Sequence, residues 1–144
     1  MSTDESNRGR RPVRAGRFFT KEEIKEYRDS FVKSKGGKAD VRKGEFFSKS
    51  LIEQLLSVEN CDGLRIYYGL APENEEGSID LKAGKTRQPR LFLVPVTVGR
   101  DSDGNPTEEN KDQTFYLRVD TGKDGGDEYG GAGGGYPCPA FCNQ

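Results

Sequence analysis

The sequence predicts an α+β fold: a small antiparallel sheet of three to four strands with one or two helices on one face. Three observations predict it. Apolar residues are scarce, 31% against 33% charged, yet most of them lie between Phe18 and Val119. Within that stretch two segments have helical spacing and others alternate as strands do. The strands arrive in sequence with loops too short for crossover helices, which favours an antiparallel meander. The flanks are polar and glycine-rich. Residues 1–17 read as a basic disordered arm, 18–120 as the α+β domain, and 121–144 as a glycine-rich tail with a Cys-Pro tip. At 144 residues there is room for one domain.

The first helix opens at a capping box, Thr20 with Glu23, and Phe19 stands where a staple would meet Ile24. Ile24, Tyr27 and Phe31 form its apolar stripe, and Gly36-Gly37 ends it near Lys33. Glu45-Phe46-Phe47 reads as a short strand. A second helix follows, capped by Ser48 or Ser50, with Leu51, Ile52, Leu55 and Leu56 as its buried side. Leu64 to Leu70 alternates as a half-buried strand before a long polar loop over 71–89. Arg90 to Val98 is the strongest strand, and Pro95 within it argues for an edge position or a bulge. Asp101 to Asn110 reads as a turn-rich loop, and Thr114 to Val119 as the last strand.

Net charge is −1, so no global field draws the protein to nucleic acid or an anionic membrane. The N-terminal arm is nevertheless basic, with Arg8, Arg10, Arg11, Arg14 and Arg17, while the C-terminal arm carries Asp120, Asp124, Asp127 and Glu128. No aromatic residue is interleaved with the arginines before Phe18, which weighs against nucleic-acid binding. No apolar run is long enough to span a bilayer, and the polar N-terminus lacks the apolar core of a secretory signal. Three cysteines, an odd number, argue against an extracellular disulfide scaffold. The expectation is a soluble, cytoplasmic protein without membrane contact.

Catalytic chemistry finds little to work with. There is no histidine, which removes Ser-His-Asp and Cys-His arrangements. No phosphate-binding loop is present. Cys138 and Cys142 are spaced C-x3-C, but a zinc site wants four ligands and the remaining cysteine, Cys61, is far away in sequence. Asp101, Asp103 and Asn105 match the start of a calcium loop, yet Pro106 stands where that loop requires glycine. The expectation is no catalytic residue, no metal and no cofactor.

The tail tip is more informative. Tyr136, Pro137, Cys138, Pro139, Phe141 and Cys142 follow a run of glycines, and the prolines restrict the backbone. Such a tip buries aromatic surface on a partner at low entropic cost. Together with Arg10, Arg11 and Arg14 these residues are the candidate partner-binding set. An uncovered sheet edge is a further candidate.

The order of motifs resembles a group of small uncharacterised bacterial proteins. Their layout is Phe, short helix, Gly-x-Arg-x-Tyr-x-Gly, Leu-Val-x-Val, Gly-x-Asp and Cys-Pro. This chain matches it at Gly63 to Gly69, Leu93 to Val96, Gly99 to Asp101 and Cys138-Pro139. The resemblance covers roughly Phe46 to Cys142, departs from the layout in the 71–89 loop and the basic N-terminus, and implies a small accessory domain with no catalytic residue.

The expected function is a non-enzymatic interaction or self-assembly protein that engages copies of itself or a protein partner. Two alternatives stay open. One is a peptide precursor with a folded leader and a core after Gly133-Gly134-Gly135; the other is a metal or redox regulator using Cys138 and Cys142.

Overall fold

The computed structural model describes residues 10–39, 41–82, 87–117 and 127–138. In chain order the elements are α1 (Lys21–Ser34), β1 (Gly44–Phe46), α2 (Lys49–Leu56), β2 (Gly63–Pro72), β3 (Arg87–Arg100), β4 (Pro106–Asp112), β5 (Phe115–Leu117), β6 (Asp127–Tyr129) and β7 (Tyr136–Cys138). They form a three-stranded sheet of order β2-β3-β4 and two small antiparallel pairs, β1-β7 and β5-β6. This is a small α+β fold.

The chain divides into two compact units. One comprises Met1–Arg14, Lys49–Tyr67 and Phe92–Gly133; the other comprises Ala15–Ser48, Tyr68–Leu91 and Gly134–Gln144. Their centres differ in chemistry. In the first unit the buried residues are apolar: Leu55, Leu93, Pro95 and Val96. In the second the buried residues include Ala71, Pro137 and an arginine, Arg90, which is 2% exposed.

Helix α1 forms for the reasons its sequence states. Thr20 accepts the Glu23 amide at 3.1 Å, and the Glu23 carboxylate accepts the Thr20 amide at 3.4 Å. At the other end Gly36 takes φ +85°, Gly36 donates to Lys33 and Gly37 to Val32, which is a Schellman stop. Phe19 meets the Tyr27 ring edge-to-face at 6.1 Å and lies under the Arg17 guanidinium at 3.8 Å. The helix buries none of its residues. Removing the cap with Thr20→Ala is expected to cost the helix about 1 kcal/mol. Circular dichroism checks this as a lower helical signal at unchanged strand content. Helix α2 buries Leu55 and half-buries Leu51 and Ile52, but Leu56, expected on its buried side, is exposed.

Strand β3 departs from expectation. It is the middle strand of its sheet, not an edge, and Pro95 is fully buried within it. The β3–β4 register pairs Val96 with Asp112, so Pro95 falls opposite Gln113, one residue past the end of β4. Gln113 still donates to the Pro95 carbonyl at 2.8 Å. The return bond would need an amide that proline lacks, and pairing stops there. A proline is thus tolerated in a central strand because it marks where its neighbour ends.

The segment read as a loop over 101–110 is a hairpin. The Asp101 carboxylate accepts the amides of Asp103 and Asn105, and β4 begins at Pro106. Those backbone bonds, from Asn105 foremost, hold the Asp101 carboxyl below its ordinary pKa. The last predicted strand is observed over Phe115–Leu117, with Phe115 stacked on Tyr129 of β6 at 6.2 Å. Val119 lies outside the described residues.

Candidate functional site

In the second unit Tyr136–Cys138 form a strand. β7 pairs antiparallel with β1, Tyr136 opposite Phe46, Pro137 opposite Glu45 and Cys138 opposite Gly44. Tyr136 stacks on Phe46 with centroids 6.1 Å apart, and both rings are exposed, while Pro137 is buried. The glycines before it are required by close approach. A Cβ on Gly135 would stand 2.8 Å from the Phe46 carbonyl oxygen and 2.9 Å from the Phe47 ring.

Arg90 anchors this strand. Its Nε donates to Glu45 at 2.6 Å, Nη1 to Glu73 at 2.9 Å and to the Gly77 carbonyl at 3.1 Å, and Nη2 to the Gly135 carbonyl at 2.7 Å. Glu45 also accepts the Leu91 amide, and Glu73 accepts Arg42 at 2.6 Å. The planar guanidinium alone offers donors in this fork, which lysine lacks. Sequence reasoning placed Arg90 only at a strand boundary. Its signal was the carboxylate Glu45 inside an otherwise apolar run, a charge that needs a buried partner.

The first unit holds a second charge cluster and the same tail in a different setting. Asp62, nearly buried, accepts Arg10 at 2.5 Å, Arg100, and the Val98 amide at 2.8 Å. Arg10 also donates to the Asn60 side chain at 3.1 Å. The Arg11 carbonyl accepts from Arg100, and Arg14 is exposed. Of the arginine set, Arg10 is therefore engaged within its own chain. Further along, Ala132 exchanges two backbone bonds of 2.8 Å with Leu93. A Cβ on Gly131 would collide with the Leu93 carbonyl, and one on Gly133 would stand 2.7 Å from the Phe92 ring.

A cleft of about 510 Å³ also opens in this unit, lined by Gln54, Ser57, Asn60, Thr97, Gln113 and Phe115 among others. Thr97 donates to the Asn60 carbonyl at 2.9 Å and accepts from Gln113 at 2.5 Å. These amides and hydroxyls can hold a polar group, and Glu59 on the same lining carries a carboxylate. Among the described residues no three His, Cys, Asp or Glu side chains gather to hold a metal ion. No described helix is long and apolar enough to cross a membrane.

The candidate partner-binding residues thus fall in both units. Tyr136 and Pro137 are brought together with Phe46 and Glu45, whereas Arg10, Arg11 and Arg14 belong to the unit that holds Asp62. The backbone of Cys138 is placed in β7; Pro139, Phe141 and Cys142 lie outside the described residues. No protein family, curated protein or solved structure matches the chain.

Proposed function

We propose that this chain is a non-enzymatic interaction protein whose first partner is another copy of itself. The observation that carries the reading is helix α1. Its fourteen residues are capped at both ends, yet none of them is buried. Ile24, Tyr27 and Phe31 are 47%, 56% and 44% exposed. Isolated helices of about this length are marginal in water, and most helices draw their stability from packing an amphipathic face. A second chain supplies that packing in this reading. The exposed Phe46–Tyr136 stack adds an aromatic anchor of the kind enriched at interface centres. Three cysteines, an odd number, fit a reducing compartment, so the proposal places the protein in the cytoplasm.

Light scattering on the full chain over a wide concentration range tests this. Self-association is expected, weakened at least tenfold when Tyr27→Glu and Phe31→Glu are combined, since the charges would be buried in the contact. A strict monomer at every concentration, with the double variant indistinguishable from the parent, would end the reading.

A further inference from the structure

Strand β2 terminates its sheet: one of its edges is bonded to β3, and no described strand lies on the other. It is ten residues long, and its free edge lacks the usual protections. The opposite edge of the sheet, β4, begins at Pro106 and carries Glu108, Glu109, Lys111 and Asp112. β2 has one charge, Arg65, and no proline before its last residue, Pro72. Its alternate residues Ile66, Tyr68 and Leu70 are 55%, 91% and 63% exposed. The other side of the strand is tied down. Arg65 donates to Asp112 and Asn110, and the Tyr67 hydroxyl donates to Asp112, so this stretch of the edge is held in place before any partner arrives.

The pattern of β2 matches itself when reversed. About a twofold axis at Tyr67, antiparallel pairing sets Leu64 opposite Leu70, Ile66 opposite Tyr68, and Arg65 opposite Gly69. Apolar residues meet apolar residues, an aliphatic β-branched side chain meets an aromatic, and the single charge meets a glycine rather than its own copy. Pairing with a second copy's β4 would instead lay these residues against Glu108, Glu109 and Lys111.

We infer that β2 is a self-association surface in addition to α1, joining two copies edge to edge and antiparallel about Tyr67. This rests on the self-association proposed above and adds the sheet edge to it. The joined sheet has the order β4-β3-β2-β2-β3-β4, so both outer edges are the charged, proline-started β4, and the sheet itself extends no further.

Opposite charges placed at residue 69 test it. Gly69→Glu sets a carboxylate against Arg65 of the other copy twice per dimer and is expected to tighten association. Gly69→Arg sets like charges there and is expected to weaken it, each by roughly two- to thirty-fold relative to Gly69→Ala. A purely structural effect would move both variants the same way. In a mixed sample of isotope-labelled and unlabelled wild-type chain, intermolecular contacts between the Ile66 methyls and the Tyr68 ring are expected, and this needs no variant to fold. Association that persists with both charge variants shifted alike and no Ile66–Tyr68 contact between copies overturns the β2 interface while leaving self-association standing. A strict monomer overturns both.

Discussion

Arg90→Ala is expected to be the most damaging single substitution in the second unit, costing about 3–5 kcal/mol. Arg90 is 2% exposed and satisfies two carboxylates and two carbonyls at once. Among the described residues, alanine would leave Glu45 with only the Leu91 amide and Glu73 with only Arg42, both carboxylates still buried. It would also strand the Gly135 and Gly77 carbonyls. A loss of this size is a large part of the total stability of an ordinary domain, about 5–15 kcal/mol. Urea denaturation followed by circular dichroism reads it as a lower midpoint. Arg90→Lys should recover only part of the loss, because an ammonium cannot present the guanidinium fork to Glu45, Glu73 and Gly135 together. A midpoint for Arg90→Ala within about 0.5 kcal/mol of the parent, the range of an ordinary surface substitution, would show that the cluster does not hold this unit.

A glycine-to-alanine scan of the tail should give an alternating result. Gly131→Ala, Gly133→Ala and Gly135→Ala are each expected to destabilise by about 1–3 kcal/mol through overpacking. At those positions a methyl group meets the Leu93 carbonyl, the Phe92 ring, and the Phe46 carbonyl with the Phe47 ring. Gly130→Ala is expected to be neutral or slightly stabilising, because nothing lies within 4 Å and its φ is not positive. Denaturation midpoints for the four variants decide between two pictures of one sequence. A flexible tether would tolerate all four alike; a strap laid along the protein tolerates only Gly130→Ala.

That contrast shows where sequence reading stops. Eight of the nineteen glycines fall in the last twenty-four residues, and by composition such a segment reads as a flexible arm. Composition does not distinguish glycine used for freedom from glycine used for closeness. The difference lies in what stands opposite Gly131, Gly133 and Gly135, and those partners come from segments some forty to ninety residues away. The docked strand β7 was illegible for the same reason: three residues containing a proline carry no strand period, and β1 supplies their pairing.

Helix α1 is the opposite case. Its start, stripe and stop were readable because capping box, i to i+3 to i+7 spacing and Gly-Gly stop are all local. Its exposure was not readable, since a stripe shows which face is apolar and not whether anything covers it. Within the candidate set, Tyr136 and Pro137 were chosen from residue type alone, and the bond of Arg10 to Asp62 was not readable because the two lie fifty-two positions apart.

Local patterns were enough for the class of fold, both helices and the cores of β2 and β3. These follow from short-range spacing and from residue type. Tertiary contacts alone put Pro95 in a central strand, make strands of Asp127–Tyr129 and Tyr136–Cys138, and bury Arg90. Each depends on groups brought together from distant positions. Burial turns a proline's missing amide, a glycine's missing side chain and an arginine's charge into energetic terms that no local pattern carries.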